Sequence, residues 1–155
     1  MQTTFFIADA EKMQQFGQRL AQFLRLGDII FLQGQLGTGK TTLVRGIMRG
    51  LEYSGQVKSP TFTLVESYSL RQGHLFHFDL YRVRNTQELF DIGIEDYFTA
   101  DAIIIIEWPE NAKSILPIPT IFCEIEMSSE GRKIILSSEI ERGAQLINHV
   151  IPLSE

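Results

Sequence analysis

Gly34-Gln35-Leu36-Gly37-Thr38-Gly39-Lys40-Thr41 sets three glycines, a primary amine and two hydroxyls inside eight residues. The pattern is G-x-x-x-x-G-K-[ST], the Walker A loop. Its glycines let the backbone curl until successive amide N–H groups from Leu36, Gly37, Thr38 and Gly39 point inward, and a following helix adds the positive end of its dipole. A polyphosphate is the ligand such a nest accepts. Lys40 supplies a cation to the β- and γ-phosphates, the Thr41 hydroxyl is placed to hold Mg²⁺, and Thr42 adds a further phosphate contact.

A second polar group of this chemistry belongs at the end of a neighbouring buried strand. Ile103-Ile104-Ile105-Ile106-Glu107 has the Walker B shape, with Glu107 as a metal-side and catalytic carboxylate; taken alone, Glu107 is also simply the first polar residue beyond a strand. Asp79 ends another strand, on the face it shares with His77. Its carboxylate is the candidate for orienting water or the metal shell, against a role as a helix cap or as a partner of Arg82. Thr61 sits in a Ser-Pro-Thr turn where P-loop proteins place a γ-phosphate-sensing segment, although Pro60 is equally ordinary punctuation before a strand. Arg132 lies in the turn of a late hairpin, either reaching the nucleotide or carrying a solvated charge. Tyr81 and Arg82 are open among phosphate, partner and Asp79 contacts. Trp108 and Pro109 are open between shaping the site mouth, binding a partner and packing. His74, His77 and His149 lack metal-ligand spacing and read as structural or solvent-facing.

The elements that must position these groups follow from periodicity. Asp9 caps a helix with Met13, Phe16, Leu20, Phe23 and Leu24 at helical spacing, ending near Gly27. Asp28 to Gln33 is a buried strand that runs into the glycine loop, and Lys40 to Leu51 is the helix behind it. Phe62 to Leu70 and His74 to Asp79 form a hairpin about Arg71 to Gly73. Asn85 and Glu88 form a capping box for a helix stopped by Gly93, with a short helix following around Asp96. Ala102 to Ile106 is a central parallel strand, because four consecutive isoleucines need cover on both faces. Thr120 to Met127 and Lys133 to Ser137 make a last hairpin, with Cys123 in the core beside Ile121 and Ile125. The expected architecture is α/β, a single-domain P-loop NTPase over residues 1–155 with a mixed, mainly parallel central sheet and antiparallel hairpins.

Composition agrees with that reading. A chain of 155 residues, 44% apolar and 21% charged, has the profile of one globular domain. A net charge of −5 opposes gripping a nucleic-acid backbone by bulk electrostatics, so contact with nucleic acid is expected to run through a partner. The lone Cys123 closes no intramolecular disulfide, and neither an export signal nor a membrane anchor is indicated; a cytoplasmic protein is expected.

Three further segments, Ser59-Pro60-Thr61-Phe62-Thr63-Leu64-Val65, His77-Phe78-Asp79-Leu80-Tyr81-Arg82 and Glu107-Trp108, join the phosphate loop in a pattern running from about Phe16 to Pro109. In order and spacing the chain resembles the bacterial ATPase family TsaE, formerly YjeE, which assists threonylcarbamoyladenosine synthesis on tRNA. The resemblance implies ATP and Mg²⁺ as cofactors, and a switch-like role for Thr61. It also implies docking on the heterodimer of the threonylcarbamoyl transferase and its inactive paralogue, with tRNA met only through that complex. The ATP cycle then gates or resets the assembly. Gln35 departs from the family, which usually has an acidic residue there, and Met13 stands where a small polar residue is common. Two other functions remain open: a small-molecule kinase, opposed by the lack of an Arg-rich lid between Asn111 and Glu126, and a nucleotide-dependent binding module. Guanine specificity has no support, since no Asn-Lys-x-Asp follows the loop.

Overall fold

A computed structural model describes residues 1–151. The last four residues of the domain expected over 1–155 lie outside the described residues. Seven strands form one sheet in the order β1-β7-β6-β2-β5-β4-β3: β1 Gln2–Ile7, β2 Ile29–Gln33, β3 Val65–Ser69, β4 His74–Asp79, β5 Ala102–Glu107, β6 Ile121–Ser128 and β7 Gly131–Ser137. The middle pairs β6–β2, β2–β5 and β5–β4 are parallel; the flanking pairs β1–β7, β7–β6 and β4–β3 are antiparallel. The expected mixed sheet with a parallel centre is therefore present. Strand β5, between β2 and β4 in the parallel part of the sheet, is buried along its whole length, as a strand covered on both faces must be.

One face of the sheet packs on the helices α1 Ala10–Ala21, α2 Lys40–Gly50 and α4 Glu141–Val150, burying Ile30, Leu32, Ile103, Ile105, Leu43 and Ile47 in one core. The opposite face is covered over β4 and β5 by the short helix α3 Gln87–Asp91 and by 3-10 turns at Ile94–Tyr97 and Pro109–Ala112, around Phe31, Phe78, Ile104 and Ile106. Asp9 caps α1 as expected, accepting the Lys12 N–H at 2.8 Å. Half of the expected capping box forms: Glu88 Oε2 accepts the Asn85 N–H at 3.3 Å, but Asn85 Oδ1 accepts the Gln87 N–H at 2.9 Å, while the Glu88 N–H donates to the Asn85 backbone carbonyl at 3.1 Å. Helices α1 and α2 meet backbone to backbone, because Gly17 and Gly46 face each other's chain; a Cβ on Gly46 would lie 2.8 Å from Gln14 Cα.

Several elements differ from the sequence pattern. The strand expected from Phe62 begins only at Val65, since Leu64 adopts φ 71°, and residues Thr61 to Leu64 turn instead, with Leu64 N–H donating to Pro60 O at 2.8 Å. Helix α1 ends at Ala21, before Phe23 and Leu24, which continue in tighter turns. Arg132 stands within β7, paired with Ile7 and Met127, rather than in the hairpin turn. Strand β1 and helix α4 add to the expected elements: β1 closes one sheet edge, and α4 completes the core through Leu146, Ile147 and Val150.

Candidate functional site

The phosphate loop crosses from the C-terminal end of β2 to α2 at the carboxyl edge of the parallel strands, where open α/β sheets bind their ligands. Gly37 (φ 81°) and Gly39 (φ 109°) hold the left-handed turns that curl the backbone. Thr38 is buried and braces the curl from below, its Oγ1 donating to Gln35 O at 2.9 Å. Arg132 braces it from β7: Nε donates to Thr38 O at 3.0 Å and Nη2 to Gly37 O at 3.3 Å. Arg132 is thus tied to the loop's carbonyls, which turns its amides the other way.

Lys40 opens α2 and is buried. Its ammonium donates to Gly34 O, and to Gln35 O at 3.1 Å, and lies 4.5 Å from the centre of the Trp108 ring. Burial pushes its pKa down, against the raising pull of Glu107, Asp79 and Glu110. Trp108 takes a left-handed backbone (φ 58°) directly after β5 and packs on Tyr81, ring centres 4.9 Å apart. The indole thereby walls the cleft beside Lys40.

Parallel pairing sets Asp79 of β4 directly against Glu107 of β5, and Leu32 of β2 against Glu107 from the other side. Strands β4 and β5 therefore end level, and β2 runs one residue further, to Gln33, before the loop. Asp79 Oδ1 accepts the Tyr81 N–H at 2.9 Å, and Oδ2 accepts the Thr61 hydroxyl at 3.3 Å. Burial raises the Asp79 pKa above the ordinary carboxylate range, and the Glu107 charge adds to that rise. Glu107 is buried, and its Oε2 lies 2.7 Å from His77 Nε2. His77 is a core residue, while His74 and His149 are exposed. Arg82 places its guanidinium over the exposed Phe62 ring, 4.5 Å from the centroid. Cys123 is buried, which pushes its thiol up to about 12.

Leu36, Gly37, Gly39, Lys40, Thr41, Thr42, Thr61, Asp79 and Glu107 line one cleft of about 290 Å³, with Trp108 at its wall. An adjoining hollow of about 180 Å³ is bounded by Met13, Thr42 and Arg132. A larger cavity of about 510 Å³ between the Leu116–Pro119 segment and β6 contains none of the phosphate-loop residues. Among the described residues no three His, Cys, Asp or Glu side chains cluster as a metal cage. Instead Thr41, Asp79 and Glu107 offer oxygen donors in the cleft, an incomplete hard shell suited to Mg²⁺ that also takes phosphate oxygens and water. His77 is the site neighbour that spacing rules miss; the only signal in the sequence is its position two residues before Asp79 on one strand face.

A glycine-curled loop between strand and helix, backed by lysine and facing carboxylates on adjacent parallel strands, defines a P-loop NTPase-type protein. The crystal structure of Bacillus subtilis YdiB has the same fold, with a TM-score of 0.83 and 25% identity, covering 97% of this chain and 94% of that one. A family profile described as threonylcarbamoyl adenosine biosynthesis protein TsaE matches residues 7–135. A Haemophilus influenzae protein described as tRNA threonylcarbamoyladenosine biosynthesis protein TsaE is 40% identical over 150 residues, 94% of this chain and 95% of its own. A Synechocystis protein of the same description is 47% identical over 110 residues, 68% of this chain and 69% of its own. The chain belongs to the TsaE family.

Proposed function

We propose that this chain is a Mg²⁺-dependent ATPase, slow on its own, that serves threonylcarbamoyladenosine modification of tRNA. It gates or resets the complex formed by the transferase and its inactive paralogue, meets tRNA only through that complex, and works in the cytoplasm. The observation that carries the reading is the convergence of Lys40, Thr41, Thr61, Asp79 and Glu107, from separate elements, on the cleft under the curled loop. Family membership supports the pathway.

The chain's own groups divide the work. Loop amides from Leu36 to Gly39 receive phosphate oxygens at the positive end of α2. Lys40 exchanges its carbonyl partners, Gly34 O and Gln35 O, for the β- and γ-phosphates. Bound Mg²⁺ supplies charge neutralisation on those phosphates, with Thr41 and Glu107 as the residues that hold it. Asp79 orients the attacking water, and the Thr61 hydroxyl on its Oδ2 ties that carboxylate to the Ser59–Leu64 turn. A change at the γ-phosphate thereby reaches the exposed face around Phe62, a route from hydrolysis to a docked partner.

The test measures phosphate release from ATP by the chain alone, and then with the transferase and its paralogue present. Stimulation by the two proteins together is expected. ATP binding without phosphate release in the complete assembly would favour a nucleotide-dependent binding module. Phosphate transferred to a hydroxylated metabolite would favour a kinase.

A further inference from the structure

His77 is wholly enclosed between the sheet and the helices, with 0% of its surface exposed, and among the described residues its one side-chain hydrogen bond is to Glu107. The ring nitrogen on the other side, Nδ1, is buried with no hydrogen-bond partner among the described residues. A buried polar atom left unpaired is destabilising, and an apolar side chain of similar size would fill the same space without that cost. The imidazole is therefore poorly explained as packing and well explained by what its Nε2 does.

We propose that His77 is a positioning residue for Glu107, holding the carboxylate by an Nε2–H donor so that Oε1 faces the metal and phosphates. This rests on the placing of Glu107 at the metal. The register supplies the geometry: His77 and Asp79 share one face of β4, and Asp79 is level with Glu107, so His77 stands one pleat below the carboxylate and reaches up to it. Oε2 is taken at 2.7 Å, and Oε1 has no protein hydrogen bond among the described residues. The contact itself calls for the proton on Nε2: a carboxylate oxygen accepts, and a bare Nε2 would set lone pair against lone pair at 2.7 Å. Without the imidazole, Glu107 would rotate among its side-chain wells, and the ordering of a rotamer-rich carboxylate would fall to the incoming ion.

Three measurements test this. The ¹⁵N shifts of His77 in the free protein should show a protonated Nε2; a bare, pyridine-like Nε2 would overturn the proposal. Calorimetry should find His77→Leu about 10- to 100-fold weaker for ATP in the presence of Mg²⁺ but within about 2-fold of the parent for ATP in excess chelator. His77→Gln, which keeps an N–H donor at similar reach, should recover most of the loss. Equal loss with and without Mg²⁺, or no loss in a folded His77→Leu protein, overturns the positioning role. Should His77→Leu fail to fold, the His77→Gln titration and the ¹⁵N shifts still decide. If the parent protein binds no ATP under either condition, it is the ATPase reading that fails, while the tautomer measurement judges the His77–Glu107 bond separately.

Discussion

Replacing Gly46 by alanine tests whether the contact between α1 and α2 is what sets the nucleotide helix in place. The added Cβ would stand 2.8 Å from Gln14 Cα and 2.9 Å from its carbonyl carbon, with the carbonyl oxygen nearer still. These are backbone atoms, so no rotamer change relieves the overlap. Ordinary contact begins at 3.4 Å, so the helices must part by at least about 0.6 Å. Overpacking of this kind costs about 1–3 kcal/mol, occasionally more, and the better helix propensity of alanine returns about 1 kcal/mol. A net loss of up to about 2 kcal/mol lowers Tm by up to about 8 °C in a chain of this size. Because α2 carries Lys40 and Thr41 in its first turn, its displacement also takes them off the phosphates; a 1 Å error costs about 100-fold, so turnover should fall about 10-fold. Thermal unfolding and phosphate release on the same preparation check both numbers. A Gly46→Ala protein that melts at or above the parent Tm with undiminished turnover would refute the argument from backbone contact.

Lys40→Ala should abolish ATP binding by calorimetry, and Glu107→Ala should bind ATP like the parent in excess chelator, bind it at least about 10-fold more weakly with Mg²⁺, and lose most Mg²⁺-dependent turnover; unchanged hydrolysis in both variants would place the chemistry elsewhere. Asp79→Asn keeps acceptors and donors for Tyr81 and Thr61 but removes a buried charge. An acid whose folded pKa is raised contributes stability fully present below its unfolded value, near 3.8, and lost as pH rises through the folded pKa. At neutral pH the variant should therefore be more stable than the parent by about 0.5–2 kcal/mol, with the difference shrinking toward pH 4, while turnover falls about 100-fold. Denaturant melts across pH that show a constant difference would contradict this. Arg132→Ala frees the carbonyls of Gly37 and Thr38, and losing about 1.4 kcal/mol of loop order should weaken ATP binding about 10-fold, measured by titration.

Near-neighbour chemistry was legible in the sequence. The loop from Gly34 to Thr41, the Asp9 cap, the Glu88 half of the Asn85–Glu88 box and the isoleucine run of β5 each depend on residues a few positions apart, where spacing alone dictates what can touch. Leu64 shows where that ends: alternation predicts a strand from Phe62, but the Asp79 N–H bonds to Leu64 O and the Leu64 N–H to Pro60 O, so a bond from another strand and a local turn override the pattern. The exposed edge strand β1 was illegible for a related reason, since pairing with β7 makes it a strand and leaves Phe6 78% exposed.

By itself, then, the sequence determined the P-loop and most of the elements that carry it, because curled glycines, a lysine and a helix start act through local geometry. Only the tertiary structure decided which distant groups complete the site. Parallel register levels Asp79 with Glu107, a core contact spanning 30 residues joins His77 to Glu107, and one spanning 94 residues brings Arg132 to Thr38. Such pairs are set by strand order and by which face each pleat turns inward, quantities fixed by the burial of the whole sheet rather than by any short stretch of chain.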